Sequence, residues 1–184
     1  SLAAAAEFFR KCNKVIITLG TSWCYRHIGK DMIVSNCLKR NPKEFIREFL
    51  PASRTAAILR EIMELCPDKQ FIFTVSPIRH FKDGAHGNQI SKASLLLGIE
   101  EALAAAPVDL SMNPHYTADY FPAYEIVMDE LRDYRFYAED MCHPTQQTAD
   151  YICERFLDWA LPADEQDTLK ENIRAFRHGC HIVK

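Results

Sequence analysis

The sequence has no apolar run approaching the ~18 residues that a membrane-spanning helix needs. Its small-residue runs, Ala3–Ala6 and Ala102–Ala106, are helix-forming alanines. Positive charge is not in excess. With 22 Lys and Arg against 25 Asp and Glu, the net charge is −3 and the pI about 6.2, so the basic footprint of a nucleic-acid binder is missing. None of the seven cysteines, Cys12, Cys24, Cys37, Cys66, Cys142, Cys153 and Cys180, forms a C-x-x-C pair. An odd count at irregular spacing is a poor disulfide framework and reads as the reduced thiols of a cytoplasmic protein. The tail His178-Gly179-Cys180-His181 has metal-ligand residue types but no second half, so no metal is expected. No secretory leader is visible. The start Ser1-Leu2-Ala3 reads as an internal cut, which leaves any targeting segment upstream.

What is present is an ordinary globular composition, 48% hydrophobic and 26% charged, sized for one domain over 1–184 with a C-terminal helix and tail over 162–184. Residues 2–12 favour helix. Lys14–Leu19 is a β-branched apolar run ending at Gly20, the pattern of a buried parallel strand. Residues 43–50 suit a helix that Pro51 interrupts, and Ser53 is placed to cap a second one through Leu65. Phe71–Val75 is the next strand. Asn88 is placed to cap a helix whose stripe is Leu95, Leu96, Ile99 and Leu103, and a third strand is expected near Tyr120–Val127. Pro144 suits the first turn of a helix through Ile152, Phe156 and Trp159, and 164–176 suits one more. This β-α-β-α-β-α order implies an α/β fold with a parallel sheet, whose ligands bind beyond the carboxyl ends of the strands.

Polar and unusual residues collect at those ends. In Asp140-Met141-Cys142-His143-Pro144, a carboxylate three residues before a histidine is spaced to fold back on Nδ1, fixing the tautomer of a general base. The same spacing equally suits a cap on the following helix, and a second such pair, Asp83 and His86, stands in a glycine-rich loop. Gly20-Thr21-Ser22-Trp23 offers donors for an oxyanion, or is an ordinary turn with Trp23 in the core. Arg79 and His80 end the second strand, either facing an anionic substrate group or tied to carboxylates such as Glu125 or Asp129. Tyr124 and Glu125 belong to a dense aromatic and charged block that forms either a cleft wall or a salt-bridged connector. Cys37 and Cys142 are candidate thiol nucleophiles only by their charged neighbours.

In order along the chain, Ile16–Trp23, Asn36–Lys39, Val75–Gly84, Asn88–Ala93, Tyr120–Tyr137 and Asp140–Pro144 resemble the GSCFA family, a bacterial group related to SGNH (GDSL-like) hydrolases. The resemblance implies a three-layer α/β/α, flavodoxin-like fold. His143 then matches the superfamily's general base and Asp140 its orienting carboxylate. Gly20-Thr21-Ser22 falls where many of these enzymes carry a G-x-N-D block, with Ser22 in place of the oxyanion asparagine and Trp23 in place of the aspartate. The Gly-Ser-Cys-Phe-Ala stretch that names the family and resembles its nucleophile block does not occur in these residues, and no apolar strand precedes Lys14. The expectation is therefore the C-terminal part of the domain, missing its first one or two strands and inactive by itself.

The implied function is hydrolysis of a small-molecule ester or an acylated glycan without a cofactor. Asp140 and His143 would be catalytic, and Gly20, Thr21, Ser22, Arg79, His80, Tyr124 and Glu125 would face the oxyanion or substrate. The alternative is a non-catalytic member of the fold that binds a glycan or acyl ligand. No nucleic acid and no membrane span are expected. A homodimer through an exposed sheet edge is expected, because a strand missing beside Lys14–Leu19 would leave that edge open.

Overall fold

A computed structural model of the chain describes residues 2–34, 39–104 and 117–181, with side chains through Phe176. Cys37 and the side chains of His178, Cys180 and His181 lie outside the described residues. The chain divides into two compact units, residues 1–144 and 145–184.

The first unit is built on a parallel sheet. β1 (Lys14–Leu19) pairs with β5 (Gln70–Val75), which pairs on its other side with β6 (Ala118–Tyr120), in register from Lys14 opposite Gln70 to Leu19 opposite Val75. As the middle strand, β5 reads as a continuous apolar run because both its faces are covered. Phe71, Phe73 and Val75 point into the main core, while Ile72 and Thr74 are buried on the opposite face. β1 alternates instead. Val15, Ile17 and Leu19 pack against the core and Ile16 is more than half exposed. Among the described strands β1 has no second neighbour.

Two helices cover the core face. α2 (Ala52–Leu65) buries Thr55, Ala56, Leu59 and Met63, and α3 (Gly84–Ala104) buries Asn88, Ser91, Lys92, Leu95, Gly98, Ile99 and Ala102, each a stripe at helical spacing. They meet closely at Gly98, where an added Cβ would lie 2.6 Å from Thr55 Cβ and 2.9 Å from the Ala52 carbonyl oxygen. Both neighbours are short and fixed. Gly98→Ala is therefore expected to destabilise the protein by about 2 kcal/mol, overpacking outweighing alanine's better helix propensity. Urea unfolding of the variant checks this, and an unchanged midpoint would refute the close fit.

Between β1 and α2 the chain inserts an antiparallel sheet in the order β3-β2-β4, from β2 (Trp23–His27), β3 (Met32–Val34) and β4 (Phe45–Phe49). The helix expected over 43–50 is thus a strand. Its partners decide this: Phe49 stands opposite Trp23 and Phe45 opposite His27, with ring centroids 5.2 and 5.3 Å apart, and Glu48 accepts from Arg26 Nε at 2.8 Å.

Other boundaries also shift. Pro51, not Ser53, holds the N-cap position of α2. α3 starts at Gly84, four residues before the expected Asn88 cap. Gly84 takes a positive φ of 67° that links a 3₁₀ turn to the helix, and Asn88 lies buried with its Oδ1 accepting the His80 N–H at 3.0 Å. The third strand ends at Tyr120. Pro122 cannot donate to a ladder, and the chain turns helical as α4 (Ala123–Glu125), continuing as a π-helical stretch at Ile126–Leu131.

The second unit holds α5 (Gln146–Ala160) and α6 (Glu165–His181). Thr145 caps α5, its hydroxyl accepting from the Thr148 N–H at 3.3 Å. Pro144 therefore precedes the cap instead of sitting in the first turn, and it pairs with Tyr137 across an isolated bridge.

Candidate functional site

The ends of β1 and β5 are joined from beneath by α3. Lys92, 1% exposed, donates from Nζ to the carbonyls of Gly20 at 2.5 Å and Ser76 at 2.7 Å. Burial lowers its pKa to about 8. Its neighbour Ser91 accepts the Ser22 N–H at 2.7 Å on Oγ and the Ser22 hydroxyl at 2.8 Å on its carbonyl, and its Oγ lies 3.0 Å from Thr21 Oγ1. Ser22 is fully buried, and both its donors are taken up in this way. The shape of the Gly20–Ser22 turn thus comes from two residues that sequence reading left without a role. The signal was available: Lys92 falls on the same 3–4-residue stripe as Asn88, Leu95 and Ile99, where a lysine is buried at a cost unless carbonyls receive it.

Beyond β5 the segment Ser76–His80 runs to a second fixed point, the Asp140–His143 loop. That loop closes through Ala138 N–H to the His143 carbonyl and Met141 N–H to the Ala138 carbonyl, both 2.8 Å, with Met141 in the left-handed region at φ 56°. Three bonds pin it to Arg79. The Arg79 N–H donates to the Cys142 carbonyl at 3.1 Å, Arg79 Nη1 to the Met141 carbonyl at 3.0 Å, and the Cys142 thiol to the Arg79 carbonyl at 2.7 Å. Just upstream, the Tyr137 hydroxyl donates to the Pro77 carbonyl at 2.9 Å, and burial pushes its pKa up to about 12.

Within the loop one Asp140 oxygen accepts the backbone N–H groups of Cys142 (2.9 Å) and His143 (3.0 Å), while the other lies 2.6 Å from His143 Nδ1. An ionised carboxylate accepts only, so Nδ1 is the donor of this contact, and in the neutral imidazole the lone pair then stands on Nε2. Nε2 has no hydrogen bond among the described residues, and the His143 side chain is 61% exposed. The backbone N–H of His143, then its imidazole, then the Cys142 N–H hold the Asp140 pKa down to about 2. A depressed carboxylate contributes its stabilisation above its ordinary pKa and loses it as pH falls through the folded value. Carboxyl NMR titration of Asp140 is therefore expected to show a midpoint near 2, and a midpoint near 4 would mean that the loop does not hold it.

The other D-x-x-H pair is not assembled. Asp83 is bound by Arg47, whose guanidinium lies 4.3 Å from the centroid of Trp23, and His86 stands exposed on the first turn of α3. Helix capping, the competing reading for Asp140 and His143, falls to Thr145.

The remaining predicted residues separate into three places. Arg79 and Tyr124 line a cleft of about 230 Å³ with Pro77, Gln89, Tyr134 and Tyr137, where the Tyr124 hydroxyl donates to Gln89 Oε1 at 2.7 Å. Thr21, His80 and again Arg79 line a second cleft of about 290 Å³ with Trp23, Tyr25 and Lys82. Burial, then the charge of Lys92, keeps the His80 imidazole below its ordinary pKa. Glu125 lies elsewhere, in a hollow with Leu96 and Ile99, accepting the Tyr120 hydroxyl at 2.7 and 2.9 Å. Burial and this carboxylate raise the Tyr120 pKa far above the usual phenol range. Arg79 thus touches neither Glu125 nor Asp129. It connects the loop of Asp140 and His143 with both clefts.

Against known proteins, the model of the GSCFA family matches residues 1–156. The chain belongs to the GSCFA family. The match covers the parallel sheet, α2, α3, the dyad loop and most of α5. No curated protein and no solved structure matches the chain. No described helix of this GSCFA member is long and apolar enough to cross a membrane.

Proposed function

We propose that this GSCFA chain carries the acid–base half of an ester or acyl hydrolase site on a three-layer SGNH-type fold, acting on a small-molecule ester or an acylated glycan. The observation that carries the reading is the 2.6 Å contact between Asp140 and His143 Nδ1, with the carboxylate anchored by two backbone N–H groups and Nε2 left unbonded. In this reading His143 is the general base, Asp140 orients it and stabilises the imidazolium, and Arg79 positions substrate beside the pair. The nucleophile in this reading is a serine of the kind carried by the family's Gly-Ser-Cys-Phe-Ala stretch, and the 184 residues, which have no such stretch, are inactive by themselves. Because both Ser22 donors serve Ser91, the oxyanion role passes to the backbone of Gly20 and Thr21. Parallel pairing of β1, β5 and β6, with α2 and α3 on one face and buried residues on the other, supports the layered fold.

The test is fluorophosphonate labelling of the protein that includes the serine stretch, with mass mapping of the labelled residue. Labelling at a serine, lost in His143→Ala, supports the hydrolase. A folded protein that takes no label supports the second reading, a ligand-binding member of the fold, which the internal engagement of Ser22 favours.

A further inference from the structure

The cleft between the β1 end and the segment after β5 has a chemical character that hydrolysis does not require. Its walls carry Trp23, Tyr25 and Phe81 together with three cationic side chains, Arg47, Arg79 and Lys82. Arg47 is neutralised by the buried Asp83. Arg79 and Lys82 have no carboxylate partner among the described residues. Arg79 donates to a backbone carbonyl and sits 4.9 Å from the Phe81 ring centroid, and Lys82 donates to the Tyr25 hydroxyl at 2.8 Å. Cations without a carboxylate partner beside flat aromatic walls in one cavity are the features that recognise an oxyanion on a ring-bearing body.

We infer that this cleft binds an organic oxyanion, a carboxylate or phosphate borne on a sugar-like ring, with Arg79 and Lys82 as its charge partners. The inference rests on reading the β1 and β5 ends as the ligand side of the molecule, and it names the substrate as an anionic ester or glycan. It does not depend on hydrolysis. The cleft lies wholly within residues 1–144, so the chain itself is the protein to test.

The experiment is calorimetric titration of the chain with glucuronate, glucose 6-phosphate and neutral glucose. Binding of either acidic sugar, or both, with glucose at least about tenfold weaker is expected, and the stronger of the two identifies the carboxylate or phosphate source. Lys82→Gln and Arg79→Gln are each expected to weaken binding about tenfold, the loss of one charge-assisted contact. Arg132→Gln, in the neighbouring cleft, is expected to leave it unchanged. Glucose binding as tightly as the acids, no binding of any of the three, or full affinity in folded Lys82→Gln would overturn the proposal. Calorimetry of the chain reads binding without any chemical step, so its outcome and that of fluorophosphonate labelling are read separately.

Discussion

Replacing His143 with alanine is expected to slow fluorophosphonate labelling of the serine-bearing protein by about 10²–10⁴-fold, the usual contribution of a general base. The Asp140→Asn variant is expected to lose a comparable factor, and it is the more discriminating of the two. An asparagine keeps its carbonyl oxygen available to the N–H groups of Cys142 and His143, so the loop retains its shape. Its NH₂ group then faces Nδ1 and donates to it. That moves the imidazole proton to Nε2, the position where a lone pair is required. A base that points correctly but carries its proton on the wrong nitrogen is inactive. Labelling rates on folded variants, checked by circular dichroism, decide the matter. Asp140→Asn reacting at the parent's rate would reduce Asp140 to a loop tie.

The second large effect is expected at Lys92. Substitution by methionine removes both donors that the Gly20 and Ser76 carbonyls share, and leaves two buried oxygens unpaired. Each such loss costs about 1–3 kcal/mol, partly offset because the parent also bears the cost of burying an ammonium group. A net destabilisation of about 2 kcal/mol is expected at pH 7. The sign of its pH dependence follows from the lowered pKa. Below about pH 8 both the folded and the unfolded chain hold the Lys92 proton, and the burial cost is fully present. As pH rises from about 8 toward the ordinary lysine value near 10.5, the unfolded chain holds more protons than the folded one, and the parent gains stability from this residue. The gap between parent and Lys92→Met in urea unfolding is therefore expected to widen over that window, by about 3 kcal/mol at most. A gap independent of pH would mean that the ammonium is solvated.

Much of the scaffold was legible because it rests on local pattern. Lys14–Leu19 and Phe71–Val75 read as parallel strands from unbroken apolar residues, and α2 from its 3.6-residue spacing. Asp140 and His143 were legible because a three-residue interval lets a loop fold on itself. The failures share one cause, a partner distant in sequence. Phe45–Phe49 looks helical until Trp23 and His27 stand opposite it. Ser22 reads as a free donor until Ser91, 69 residues away, receives it. Glu125 follows Tyr124 directly, yet one lies in a hollow with Tyr120 and the other in the cleft with Arg79, since consecutive helical residues point in different directions.

The stitching of Gly20 and Ser76 by one ammonium group also orders events in time. No stretch of the chain shorter than the span from β1 to α3 contains these three groups, and the dyad loop is tied to the segment after β5 through Arg79, more than sixty positions before it. Closing such spans is slow relative to forming single helices. During refolding, helical signal will therefore return before the pocket does, and recovered ligand binding will mark the last step of folding rather than the first.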